Sequence, residues 1–215
     1  MRAVLFDFDG TLADTAPDLG RAVNRLRAER GLAELPIEQV RPFASSGARG
    51  LLRAGFGIGP EDVEFARLRE AFLARYGEAV CVETRLFPGM EELLAELESR
   101  GLAWGIVTNK AARFTHQIVA ALGLGDRPAC VVCGDTTPHL KPHPAPLLHA
   151  ARALALPPQL CCFVGDDLRD VQAAHAAGMR AVAVEYGYHG TENGGPHSWR
   201  ADAVIARPLD LIAVL

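Results

Sequence analysis

Ala3-Val4-Leu5-Phe6 is a short apolar run that stops at Asp7, with Asp9 and Asp14 close behind and Gly10-Thr11 between them. A run of this kind suits a strand buried on both faces of a parallel sheet. Carboxylates are costly to bury unless positive charge neutralises them, so two of them one residue apart at a buried strand end ask for a cation. For an all-oxygen ligand set the hard-cation choice is Mg²⁺. Gly10 permits a tight turn where the backbone must approach a bound group. The same residues also fit a plain Asp-rich turn at a strand end.

Downstream the pattern is helical. Leu19, Val23 and Leu26 fall at helical spacing across 17–30, and Gly31 closes that segment. Residues 36–43 read as a short helix or loop. Ser45-Ser46-Gly47-Ala48-Arg49-Gly50 leads into Leu51 and Leu52, with Ser45 or Ser46 placed to cap a helix. Residues 61–80 read as a longer helix with Val63, Phe65, Leu68, Phe72, Leu73 and Tyr76 on its apolar side. With no buried strand between 17 and 80, this part is a helical insert. After the turn Phe87-Pro88-Gly89, helices over 90–100, 111–122, 144–154 and 168–177 alternate with strands over 103–107, 129–132, 160–164, 181–184 and 203–205. Alternation of this sort gives a parallel sheet covered by helices on both faces, with ligands beyond the carboxyl ends of the strands.

The residues after those strands are therefore the ones that carry chemistry. Val107 is followed by Thr108-Asn109-Lys110 at a helix start, which suits either a phosphate site or a simple helix cap. His139-Leu140-Lys141-Pro142-His143-Pro144 is stiffened by its prolines, and Lys141 and Lys110 are the only lysines in the chain. An ammonium held by such backbone suits a point contact to phosphate and carboxylate. Cys161-Cys162-Phe163-Val164 runs into Gly165-Asp166-Asp167-Leu168-Arg169-Asp170, a second acidic cluster at a strand end, in which Asp170 also suits the first turn of a helix.

Asp-x-Asp, then Thr, then Lys-Pro, then Gly-Asp-Asp, each after its own strand, resembles the four motifs of the haloacid dehalogenase-like (HAD) hydrolases in order and over essentially the whole chain. The resemblance implies an α/β fold: a Rossmann-like core with a parallel sheet, formed by 1–15 and 84–215, and a small helical cap domain over 16–83, inserted after the first strand. It also implies a phosphatase. Asp7 is then the nucleophile that forms an aspartyl-phosphate and Asp9 the general acid and base. Thr108 and Lys141 hold the phosphoryl oxygens. Mg²⁺ is bound by Asp7, by Asp9 through its backbone carbonyl and by Asp166, with Asp167 and Asp170 nearby. An acid at Asp9 excludes the dehalogenase branch. His143 stands where many relatives carry an acidic residue after Lys-Pro.

The cap supplies specificity in this family, and substrate binding is expected at Thr108, Asn109, Lys141 and Arg49. Arg49 can pair bidentately with a substrate carboxylate, or serve as an exposed helix residue. The chain is similar to phosphoglycolate phosphatases. It is more similar to the N-acetylmuramic acid 6-phosphate phosphatase branch of peptidoglycan recycling, through residues 46–49, 104–110, 164–170, Tyr186-Gly187-Tyr188 and Trp199-Arg200-Ala201-Asp202. A sugar phosphomutase shares the motifs, and a non-catalytic phospho-acceptor domain also groups Asp, Thr and Lys at parallel strand ends. A zinc site at Cys130, Cys133, His139 and His143 fails on geometry, because residues three apart on a strand point to opposite faces.

Composition narrows the partners. A net charge of −4 leaves no basic footprint for nucleic acid. No apolar run approaches the length of a membrane span, and Met1-Arg2 leaves no room for a signal peptide before the first strand. Five cysteines, an odd number, suit reduced thiols in the cytoplasm. The expected partner is a small phosphorylated metabolite, with no nucleic acid and no membrane, and the chain acting as a monomer or homodimer.

Overall fold

The computed structural model describes residues 1–190 and 194–215. The first half runs β1 (Ala3–Phe6), β2 (Ala13–Asp14), α1 (Ala16–Glu29), α2 (Ile37–Val40), α3 (Gly47–Phe56), α4 (Phe65–Gly77) and β3 (Arg85–Leu86). The second half runs α5 (Met90–Ser99), β4 (Ala103–Val107), α6 (Ala112–Ala121), β5 (Val131–Val132), α7 (Ala145–Ala153), β6 (Cys161–Gly165), α8 (Leu168–Ala177), β7 (Arg180–Val184) and β8 (Ala203–Ile205).

Along β1 the side chains alternate between two cores. Val4 and Phe6 pack with Leu93, Leu94 and Leu97 of α5 and Ile118 of α6. Ala3 and Leu5 pack with Leu147 and Ala150 of α7 and Val171 and Ala174 of α8. A strand covered on both faces must be apolar at every position, which is why β1 has no polar residue. The six strands are parallel in the order β5-β4-β1-β6-β7-β8, so the α/β reading holds.

β2 and β3 form a separate antiparallel pair, Ala13 against Leu86 and Asp14 against Arg85. At two residues each they give no sequence pattern to read. They bracket the helices α1 to α4. The returning chain is also pinned by Asp18 on α1, whose buried carboxylate accepts the N–H groups of Val82, Glu83 and Thr84 and the Thr84 hydroxyl.

Two sequence expectations need correction. The helix expected over 61–80 begins only at Phe65, and Val63 is fully exposed rather than part of its apolar face. Asp62 causes this: its carboxylate accepts the Gly59 N–H at 2.7 Å and its own N–H bonds the Gly59 carbonyl, closing a turn before the helix. Neither serine caps α3. Ser46 stands at the N-cap without a side-chain cap bond, and Ser45 is used elsewhere.

Candidate active site

Phe6 lies opposite Ile106 on one side and Val164 on the other, so β1, β4 and β6 end together. The residues that follow them, Asp7, Thr108 and Asp166, meet at one rim. With β4 on one flank of β1 and β6 on the other, this is the change of strand order at which open parallel sheets hold ligands.

Asp7 Oδ1 accepts the Phe8 N–H at 2.7 Å and lies 2.8 Å from Lys141 Nζ. Lys141 is buried, and its ammonium is also 2.8 Å from Asp170 Oδ1. Burial works against that charge, but Asp170 and Asp7 outweigh it and hold the ammonium above its ordinary range. Its peptide bond to Pro142 is cis, and its backbone is held by Asn109, whose amide both accepts from Lys141 N and donates to Lys141 O. The Asn109 side chain thus braces the lysine. His143 serves the segment too, taking the Ala145 N–H at the start of α7 and stacking on His139 at 4.1 Å.

Asp166 is fully buried and takes only neutral donors: Thr11 Oγ1 at 3.1 Å, Ser45 Oγ at 2.8 Å and Tyr188 N at 2.9 Å. Two glycines make room for it. A Cβ on Gly10, whose φ is +85°, would come within 2.2 Å of its carboxylate, and one on Gly187 within 2.2 Å of its Cβ. Carboxylate oxygens of Asp7, Asp166 and Asp170 lie within 4.8 Å of one another, the one such group of potential metal ligands among the described residues. Burial first, then Asp7 and Asp170, push the Asp166 carboxyl well above the usual carboxylate range. An all-oxygen cluster with more negative charge than Lys141 can balance fits a hard divalent cation.

Asp9 faces elsewhere. Its Oδ1 accepts Lys110 Nζ at 2.7 Å and the Thr15 hydroxyl, so its side chain is outside the acidic cluster, in which Asp170 stands instead. The Leu12 and Ala13 N–H groups bond the Phe8 carbonyl rather than that of Asp9. Lys110 lies 5.0 Å over the ring of Tyr76 from α4, whose phenol burial pushes up to about 12. Thr108 is buried, and its hydroxyl accepts the Lys110 N–H at 3.1 Å.

α8 opens with a capping box in which Asp167 and Asp170 each accept a backbone N–H of the other's turn. Arg169 grips both Asp167 oxygens at 2.8 Å and reaches the Ser45 carbonyl, also at 2.8 Å. Above these residues lies a cavity of about 680 Å³. Its floor is Asp7, Asp9, Thr108 and Lys141, and Phe65, Phe72, Leu73 and Phe114 line its apolar wall. Arg49, Arg69 and Arg113 stand around it, and none of them makes an ion pair among the described residues. Cys130 and Cys162 are raised by burial to about 11 and about 12, the behaviour of core thiols.

The profile of the haloacid dehalogenase-like hydrolases matches residues 4–184. The chain belongs to that family. It is 45% identical over 216 residues to the N-acetylmuramic acid 6-phosphate phosphatase of Pseudomonas putida, covering 100% of this chain and 96% of that protein. It is 43% identical over 210 residues to the phosphoglycolate phosphatase of Xanthomonas campestris pv. campestris, covering 98% and 94%. Among solved structures, a predicted phosphoglycolate phosphatase from Haemophilus somnus matches with a TM-score of 0.86 at 28% identity, covering 100% of this chain and 97% of that one. The expected phosphatase assignment within this hydrolase family agrees with these relatives.

Sequence reasoning placed Asp7, Thr108, Lys141 and Asp166 at one rim, and the structure brings them there. Arg49 lies on the cavity wall. What it missed in this hydrolase is the set of contacts supplied from a distance: Lys110 on Asp9, and Ser45, Arg169 and Tyr188 around Asp166 and Asp167. Lys110 carried the same signal as Lys141, since the chain has only those two lysines.

Proposed function

We propose that this hydrolase is a Mg²⁺-dependent phosphomonoesterase that works through an aspartyl-phosphate on Asp7. The observation that carries the reading is the Asp7 carboxylate, held 2.8 Å from a buried lysine within an acidic cluster. Asp7 attacks phosphorus, the bond to the ester oxygen breaks, and Asp9 gives that oxygen its proton. Asp9 then takes a proton from water as the water attacks phosphorus, and the bond to Asp7 breaks to release phosphate. Lys110 and Thr15 both occupy Asp9 Oδ1, which leaves Oδ2 for the proton. Thr108 and Lys141 hold the equatorial oxygens. Asp7, Asp166, the Asp9 carbonyl and Asp170 are the residues to hold Mg²⁺, which when bound neutralises charge on the phosphoryl group.

Residues 16–83 act as the cap, and the rest as the core. The substrate is a small carboxylate-bearing ester, and the volume and apolar wall of the cavity favour N-acetylmuramic acid 6-phosphate. Its lactyl and acetamido arms fill a space in which 2-phosphoglycolate leaves most of the volume to water, and Arg49 pairs with its carboxylate. The near-equal identity to the Xanthomonas phosphatase supports phosphoglycolate as the second reading. The protein works in the cytoplasm on a free metabolite, as a monomer or homodimer, without nucleic acid or membrane.

Phosphate release from both esters, with Mg²⁺ and with Asp7→Asn as control, tests this. A large preference in kcat/KM for the sugar is expected. Preference for phosphoglycolate overturns the substrate, isomer formation in place of phosphate release means a mutase, and a phospho-form lasting minutes means a phospho-acceptor. Undiminished release by Asp7→Asn overturns the mechanism.

A further inference from the structure

Tyr188 touches both the acidic cluster and the place where the chain leaves the sheet for the helical insert. Its backbone N–H holds Asp166 Oδ2 at 2.9 Å. Its phenol oxygen accepts the N–H groups of Thr15 at 2.7 Å and Ala16 at 3.0 Å, and donates to Asp14 Oδ1 at 2.8 Å. Those N–H groups belong to the start of α1, which has no side-chain cap of its own because the Thr15 hydroxyl is given to Asp9. The cap is therefore supplied by a residue far along the chain. The insert answers from its other side: Arg41 donates to the same Asp14 oxygen at 2.7 Å, and its guanidinium lies 5.7 Å over the Tyr188 ring.

The second crossing meets Tyr188 as well. Phe87, which follows β3, donates its N–H to the Leu12 carbonyl, and its ring lies 6.4 Å from that of Tyr188. Tyr188 is 5% exposed. A tyrosine needed only for packing has no use for a hydroxyl with three partners, which phenylalanine would leave in place as an apolar ring. Here the backbone N–H holds the acidic cluster and the hydroxyl holds the hinge of the insert.

We propose that Tyr188 is a positioning residue. It holds the Asp14–Ala16 hinge in fixed relation to Asp166, so that the substrate contacts of α3 and α4 are registered on Asp7. The proposal rests on the reading of 16–83 as a substrate-binding cap. It assigns no bond-making step to Tyr188.

Tyr188→Phe is the test, because it keeps the ring and the N–H to Asp166 and removes the hydroxyl. Hydrogen–deuterium exchange on the metal-free protein is expected to rise about tenfold in peptides covering 12–19 and 41–52, the change expected from losing a hydrogen bond, with β4 and β6 unchanged. With the sugar phosphate and Mg²⁺, KM is expected to rise about tenfold while kcat moves less than threefold, because contacts made through the cap loosen while the centre keeps its ligands. Asp14→Ala, which leaves Asp166 and its donors alone, should give the same exchange pattern. Unchanged exchange at 12–19, or an equal rise across the sheet, overturns the proposal. So does a fall in kcat with KM constant. A failure of the phosphatase reading shows separately, as phosphate release that survives Asp7→Asn.

Discussion

At the scale of single residues the site is a problem of charge and room. Lys141 is the one ammonium shared by Asp7 and Asp170. Lys141→Met leaves both carboxylates buried without a cation, and loss of one partner of a buried pair costs about 3–5 kcal/mol. Urea unfolding at pH 8 in the absence of metal should show that loss, with a smaller one at pH 5, where the Asp170 carboxyl, pushed up to about 7 chiefly by burial, can take up a proton. Room is set by Gly187, whose absent Cβ would meet both the Asp166 Cβ and the Gly10 carbonyl oxygen. Because one of those neighbours is backbone, Gly187→Ala is expected to cost about 1–3 kcal/mol in urea melts and to weaken Mg²⁺ binding by calorimetry. Asp7, Thr108 and Asp166 were legible in the sequence because each directly follows a strand, and strand ends of a parallel sheet converge, whereas Lys141, well beyond β5, was marked by the scarcity of lysine. Ser45 and Tyr188 were not. A serine just ahead of an expected helix reads as its cap, and only tertiary structure shows Ser45 turned toward Asp166.

At the scale of elements the insert hangs from the sheet by two short strands and a few buried polar groups. Alternating helices and strands were legible over the second half of the chain, and so was the helical nature of the first. β2 and β3 were beyond reach, since two residues carry no period, and Asp62 hid the true start of α4 by closing a turn inside an apolar pattern. Asp18 ties α1 to the returning chain through three backbone N–H groups and a hydroxyl, with Arg21 at 2.6 Å. Asp18→Ala orphans those donors and should lower stability by about 1–3 kcal/mol, read from chemical denaturation. Burial raises the Asp18 pKa, but Thr84, Glu83 and Arg21 outweigh it and the net direction is down. A depressed carboxyl stabilises the fold above its unfolded value, about 3.9, and the contribution is lost as pH falls through the folded value. The unmodified protein should therefore lose more Tm between pH 5 and pH 3 than Asp18→Asn does.

At the scale of the whole molecule, the excess of negative charge at the rim couples metal, pH and stability. The Asp166 pKa is raised by burial and by its carboxylate neighbours. A raised carboxyl favours the fold while it is protonated, and that contribution fades as pH climbs from the unfolded value through the folded one. If the cluster holds Mg²⁺ as proposed, the ion takes the place of that proton, so its addition should raise Tm more at pH 8 than at pH 5 in a thermal-shift series, and equal shifts would contradict the assignment of the cluster. The same rim has an effect on the outside of the molecule. With Lys110 and Lys141 the only lysines in the chain, and their side chains 8% and 2% exposed in ion pairs, all other side-chain positive charge is carried by arginine and histidine. Burial disfavours both ammoniums, but their carboxylates outweigh it and keep them protonated, hence poor nucleophiles. An amine-acylating reagent therefore meets an outer surface with no reactive side-chain amine, and should add a single group, at the α-amino end, with two more appearing only in urea. Intact mass then turns the scarcity of lysine into a count of how many molecules still hold their centre closed.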